Sequence, residues 1–257
     1  MTKLLIQIFF NNTDTSDLPL PLTPWGRILK SKPVWALIFA LIGNSWGYIT
    51  IVSDMPKYLK SVLKVSIEMN GYLTSLPFVC MCIFGAITSV LADSLIASGK
   101  LSTTWVRKIG NSLASFGPGI FLVIAAHSGC NTTKVLLFLI IGQSLLGAAT
   151  VSVLVNALDL APNYAGSVMG LVNGISTLSG VFSPYVVGLL TPNQTVQEWR
   201  NVFWVVLFIF VVTNVIYLMS GSGELQKWNY TSEFSTTVKQ SKDNQLKEKV
   251  KLLVVNK

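Results

Sequence analysis

The sequence predicts an all-α integral membrane protein, a bundle of six transmembrane helices, and three observations carry that prediction. Only 12% of the 257 residues are charged, against about 25% in soluble domains. The charge is also confined, leaving uncharged runs at Pro33–Ser53, Met69–Ala92, Ile109–Thr133, Val135–Leu158, Leu160–Gln197 and Asn201–Gly223. Each run is long enough for the roughly 20 helical residues that cross a hydrocarbon core of about 30 Å. Finally, the runs are continuous and rich in Leu, Ile and Gly, whereas strands of a transmembrane barrel alternate in short segments. A soluble bundle has no need of six such windows in succession.

Residues 1–22 read as a flexible leader, because NNTDTSDLPLPL offers no small-residue cleavage site for a signal peptide. Helix 33–53 carries Asn44, Ser45, Trp46 and Tyr48 near its middle. Helix 70–93 holds Cys80 and Cys82, two apart and facing different ways, so they read as packing residues. With Cys130 alone in an outer loop, no disulfide framework is expected. Helix 106–127 follows a loop in which Asp93 can pair with Arg107 or Lys108. Helix 134–157 sets Ser152, Asn156 and Asp159 on one stripe. Helix 166–190 opens with GSVMGLVNG: Gly166, Gly170 and Gly174 form a smooth face for close packing, with Asn173 and Thr177 as a polar pair beside it. Helix 200–220 completes the bundle, and 222–257 is a basic tail, either solvated or resting on anionic headgroups.

Two readings of the mid-span polar residues stand side by side. Polar side chains in a membrane bond helix to helix, for about 0.6 kcal/mol each, or they face a shared aqueous path lined by Asn44, Tyr48, Asn156, Asn173 and Thr177. Asp159 poses a separate question. A carboxylate at the bilayer centre costs about 2.5–3.5 kcal/mol, so Asp159 marks a helix end, and Pro162 enforces that end. The next helix begins with unpaired N–H groups and a partial positive charge. Asp159 is expected to accept from them and brace the turn; the alternative is a solvated loop carboxylate.

Loop charge sets the orientation. Thirteen Lys and Arg residues flank the inner side (Arg27, Lys30 and Lys32, Lys100, Arg107 and Lys108, and seven lysines after Gly223), against Lys57, Lys60, Lys64, Lys134 and Arg200 opposite. Both termini are therefore expected in the cytosol. The net charge of +8 reads as topology and attraction to lipid rather than nucleic-acid binding. Sequons at Asn131 and Asn193 fall on the outer side, and those at Asn11 and Asn229 on the cytosolic side. With one histidine, His127, and no HExxH or GxSxG hydrolytic constellation read, an enzyme is not expected.

The blocks PVWALIFALIGNSWGYITIVSDMPKYLK, NGYLTSLPFV, LADSLIASGKLSTTWVRKI, LDLAPNYAGSVMGLVNG, EWRNVFWV and SGSGELQKWN resemble, in order and spacing, the second half of one transporter group. It is the organic-anion and phosphate branch of the major facilitator superfamily, which includes sialin, vesicular glutamate transporters and sodium–phosphate cotransporters, among them insect inorganic phosphate cotransporters. The resemblance covers about residues 23–229. It implies helices seven to twelve of a twelve-helix fold, alternating access by rocking bundles, a small anionic substrate, and a coupling proton or sodium with no other cofactor. It makes Asp93, Arg107 and Asp159 gating or loop-motif residues, although Ser89 and Ser94 stand where a glycine and a larger residue are usual. Asn44 replaces the arginine of the glutamate transporters, and Ala157 a histidine common before the Leu-Asp pair. The family's N-terminal bundle, which supplies arginines to the substrate, has no counterpart in the chain. The implied partners are membrane lipid and an N-terminal six-helix half or a full-length relative. A plasma, vesicular or lysosomal membrane all fit. The competing reading is a non-transporting six-helix partner, or a truncated product, that associates with a full-length transporter.

Overall fold

The computed structural model describes residues 22–64, 67–128 and 131–230. The leader up to residue 21, Cys130, the Asn11 sequon and the tail from residue 231 lie outside the described residues. Six apolar helices of spanning length follow one another: α1 (Lys32–Ser61), α2 (Ile67–Ala97), α3 (Thr103–His127), α4 (Thr132–Leu160), α5 (Pro162–Leu190) and α6 (Val196–Ser220). No strand occurs among the described residues. The end that carries Thr23 and Tyr230 is called inner here, and the opposite end outer.

The helix starts follow local chemistry. Ser102 accepts from the Trp105 N–H at 3.4 Å and Asn131 from the Lys134 N–H at 3.1 Å. α6 begins with a capping box, Thr195 Oγ1 receiving the Glu198 N–H at 3.3 Å and Glu198 Oε2 the Thr195 N–H at 3.0 Å. α1 outruns the uncharged window, continuing past Ser53 through Pro56 to Ser61.

Two spans that the sequence suggests are continuous are broken. In α4 the α-helix stops at Leu145, passes through a 3₁₀ turn (Leu146–Ala148) and a π-helical stretch (Thr150–Leu154), and resumes at Val155–Leu160. In α5 the helix Ala165–Ser176 gives way at Thr177 and Leu178 to Ser179–Leu190. The cause is in the side chains. The Ser176 and Thr177 hydroxyls both donate to the Asn173 carbonyl, at 3.0 and 2.7 Å, and Ser179 donates to Ser176 O at 2.6 Å. Such back-bonding competes with the helical ladder, and Pro184 removes the N–H that would bond Gly180 O.

In packing order α5 lies on α1, α1 on α6, α6 on α3, α3 on α4, and α4 on α2. Small residues set the closest approaches. A Cβ on Gly43 or Gly47 of α1 would run into Thr213 or Phe210 of α6, and one on Gly147 of α4 into the backbone of α2 at Met81 and Gly85. The apolar interior has two large clusters, beside a small one of Ala92, Val106 and Val151. The inner one joins Leu37, Leu160, Val168, Tyr217 and Trp228; the outer one joins Leu59, Leu122, Leu139, Trp199 and Phe210.

The chain does not leave the bundle when α6 ends. Gly223 N–H donates to Thr104 Oγ1 at 2.9 Å, Gln226 N–H to Leu160 O at 2.8 Å, and Trp228 is buried beside Tyr164. Residues 222–230, expected to begin the tail, thus form a strap across the inner ends of α3, α4 and α5.

Candidate functional site

A groove of about 540 Å³ opens between α1, α2 and α4, within the range of small-ligand sites. It exists because α2 packs chiefly on α4 and only lightly on α1. Its floor is the crossing where Gly85 and Gly147 let the two backbones meet. Polar groups enter from each wall: Asn44, Ser45 and Tyr48 from α1, Ser89 from α2, and Thr150 from α4. Cys82, exposed, lies on the α2 wall. No lining residue carries a charge. Thr150 sits on the π-helical stretch, a local distortion often found at functional sites.

Of the five residues the sequence suggests for one cavity, the structure brings Asn44 and Tyr48 to this groove. Asn44 is nearly spent: its Nδ2 donates to Asn111 Oδ1 at 3.0 Å, and Ser115 Oγ donates to its Oδ1 at 3.4 Å. Asn111 Nδ2 passes on to Asn214 Oδ1 at 2.8 Å, and Asn214 Nδ2 to Ser112 Oγ at 3.2 Å. This chain of amides ties α1, α3 and α6 together, and on α1 it falls between the inner and outer apolar clusters. Tyr48 is 40% exposed, its ring edge-on to Phe78 of α2. Asn156 is fully buried and donates to Tyr217 Oη at 2.7 Å on α6, with its own Oδ1 unpartnered. Asn173 and Thr177 are exposed on α5, where their local role is the helix break. The sequence spacing does not reveal Asn111 and Asn214 as partners. The signal was present, since each is an amide set among apolar residues inside a spanning helix.

The charged residues also pair differently from the expectation. Asp159 does not brace the start of α5. Its carboxylate binds Arg107, with Nε to Oδ2 at 2.6 Å and Nη2 to Oδ1 at 3.3 Å. Arg107 Nη1 adds a 2.6 Å bond to Val151 O in the π-helical stretch. The guanidinium is buried, so this fork locks α3 to α4 beside the groove. Asn229 of the strap meets the start of α5 instead: its Oδ1 accepts from Asn163 N–H and its carbonyl from Asn163 Nδ2, both at 3.1 Å. Asp93 is exposed and forms no ion pair with Arg107 or Lys108.

Hydrolytic chemistry gains no support from the geometry. Residues 43–47, GNSWG, do spell GxSxG, a match that the sequence expectation passed over. The string lies within the continuous α1 helix, whereas the nucleophile elbow needs a sharp strand-to-helix turn. His127 caps the far end of α3, its Nδ1 at 2.9 Å from Val123 O and its ring edge-on to Trp204. Among the described residues no cluster of His, Cys, Asp and Glu suited to a metal occurs.

Comparison with known proteins agrees with this architecture. The chain is 37% identical over 222 residues to a "Putative inorganic phosphate cotransporter" of Drosophila ananassae, covering 85% of this chain and 46% of that protein. It is 35% identical over 205 residues to human sialin, covering 80% and 41% respectively. It is also 35% identical over 213 residues to vesicular glutamate transporter 2.2 of Danio rerio, covering 83% and 36%. The chain spans less than half the length of each of these relatives. Residues 10–184 match the family model of the Major Facilitator Superfamily. With six apolar spans packed as one all-helical bundle, the chain is a multi-pass membrane protein and belongs to the Major Facilitator Superfamily.

Proposed function

We propose that this bundle is the second half of a secondary transporter that moves small organic anions or inorganic phosphate, coupled to a proton or sodium ion, by alternating access. The observation that carries the reading is the groove between α1, α2 and α4: sized for a small ligand, lined mostly by apolar groups with a few neutral polar ones, and open to the surface. Because no cation lines it, the charge that recognises an anion comes from a facing half. The named relatives, inorganic phosphate cotransporters, sialin and vesicular glutamate transporters, favour small anions as the substrate class.

The exposed faces fit a partner half. Only 17% of the apolar window in α2 and 22% in α5 is buried, against 56% in α1. Lipid can cover an apolar face but cannot satisfy the side-chain amide of Asn173, which α5 exposes beside Gly166, Gly170 and Gly174. A Cβ on any of these glycines meets nothing within 4 Å, so the stripe is free for close packing by another helix. Under this reading α2 and α5 form the seam with an N-terminal six-helix half or the matching part of a full-length relative. Both termini lie in the cytosol by the loop-charge rule, and the membrane is plasma, vesicular or lysosomal.

Two measurements test this. Chain purified and reconstituted with an N-terminal half of a relative is expected to take up phosphate or a small organic anion into proteoliposomes. Pull-down of that half without uptake overturns the transporter reading in favour of a non-transporting partner. In a Cys130→Ser background, Cys82 is expected to react with a membrane-impermeant thiol reagent and to be shielded by saturating substrate. Labelling that is indifferent to every anion tried removes the groove from the path.

A further inference from the structure

Asp54 is a buried acid that neither the groove nor the Arg107 fork uses. It lies on α1 one residue beyond the uncharged run, yet the helix carries it inward to zero exposure. Lys57 Nζ holds Oδ1 at 2.6 Å, with the lysine side chain itself 57% exposed at the outer end. Oδ2 is buried and accepts no hydrogen bond. An ionisable group inside a membrane helix is costly and needs an explanation.

The adjacent Thr50–Ser183 hydroxyl pair has no hydrogen to give Oδ2. Thr50, one turn earlier on the same face, donates to Trp46 O at 2.9 Å and meets Ser183 Oγ of α5 at 2.8 Å. With the Thr50 hydrogen on Trp46, the Ser183 hydrogen points to Thr50. One turn further along α5 is Val187, which is apolar. Among the described side chains, the other charged and titratable groups at this end have their own surroundings. On α1 Tyr58 packs edge-on against Trp199 and Phe203, and Lys60 and Lys64 lie beyond it. On α6 Arg200 donates to Ala126 O at 3.2 Å and Gln197 Oε1 at 3.4 Å, and Glu198 is the acid of the capping box. On α2 and α5 Tyr72 and Tyr185 are exposed, and on α3 His127 lies against Trp204. Across the α3–α4 turn Lys134 is the remaining cation.

A sodium ion fits this site poorly. The Lys57 ammonium on the other carboxylate oxygen repels a second cation. A proton needs only one lone pair, and Oδ2 supplies it. We propose that Asp54 is the proton-binding site of this half. A proton from the outer aqueous face adds to Oδ2, the carboxylate becomes a neutral acid, and Lys57 keeps its charge but loses its partner and swings to the outer surface. Return of the proton restores the pair. The neutral acid suits the dry contact of α1 with α5 and α6, while the ion pair holds Lys57 at the outer end. This inference rests on the reading of the chain as half of a cation-coupled transporter, and it names the cation and its seat.

The test uses the full chain in lipid. Infrared difference spectroscopy with isotope-labelled aspartate, titrated from neutral to acid, is expected to show the carbonyl band of a protonated, desolvated carboxyl. Asp54→Asn is expected to lose the band and Asp54→Glu to retain one. No such band in the wild-type chain at any pH overturns the proposal, whether or not the variants fold. With the complementary half added, Asp54→Asn is expected to lose accumulation driven by a proton gradient, and Asp54→Glu to keep it. Undiminished proton-driven accumulation by Asp54→Asn also overturns the proposal. A band assigned to Asp54 in a chain that transports nothing supports the proton site and counts against the transporter reading alone.

Discussion

Arg107 and Asp159 show how far spacing can and cannot go at the level of single residues. Both stand out in the sequence as charges bordering apolar runs, but nothing in the spacing pairs residues 52 positions apart. Removing one partner of a buried pair strands the other charge. Asp159→Leu is therefore expected to destabilise the bundle by roughly 3 kcal/mol, at the low end of the range for buried pairs, because the Asp159 side chain keeps 19% exposure. The double variant Arg107→Leu/Asp159→Leu should recover part of that loss; thermal unfolding in detergent measures both. If the double variant is as unstable as the sum of the single ones, the stranded-charge argument fails. Asn111 makes a neutral comparison. It serves both Asn44 and Asn214, so Asn111→Leu leaves two buried amides short of a partner and should cost about 1–2 kcal/mol. An unchanged melting temperature would show that the amide chain adds nothing to stability.

At the level of elements, the glycines divide into two kinds that look alike in the sequence. Gly147 sits where α4 crosses α2, and an added Cβ would press on the Met81 and Gly85 backbone, which cannot yield as a flexible side chain can. Gly147→Ala is expected to cost about 1–3 kcal/mol through overpacking and to widen the floor of the groove. Gly170 has open space around its Cβ position, so Gly170→Ala should leave the isolated chain as stable as before, or slightly more so. Its effect should appear only as weaker pull-down of the complementary half. Equal destabilisation by the two substitutions would contradict the packing. The breaks in α4 and α5 belong to this scale too. Pro162 and Pro184 are legible in the sequence, whereas the hydroxyl back-bonding that ends the helix at Thr177 depends on rotamers.

For the whole molecule, the uneven burial of its helices matters most. α1, α3 and α4 are about half buried along their apolar windows, while α2 and α5 are mostly bare. A bundle closed on itself would bury its helices more evenly. One with two bare, partly polar flanks is expected to bind a second bundle along them, which is the seam that alternating access requires. The groove and the strap fit the same picture. The groove presents uncharged groups on this side, and residues 222–230 hold the inner ends of α3, α4 and α5 together as one rigid body would need.

The sequence by itself determined the solvent and the architecture. Uncharged runs long enough to cross hydrocarbon can be counted along the chain, and a backbone in lipid has few options besides helix. It also identified the mid-span polar residues, because each is conspicuous against an apolar background. Only the tertiary structure decided their partners: Asn44 with Asn111, Asn156 with Tyr217, Arg107 with Asp159, and Asp54 drawn into the interior. Helical periodicity fixes the face on which a side chain lies within its own helix. Which helix that face meets depends on rotation, crossing and local breaks, and those are set by packing among residues far apart in the chain.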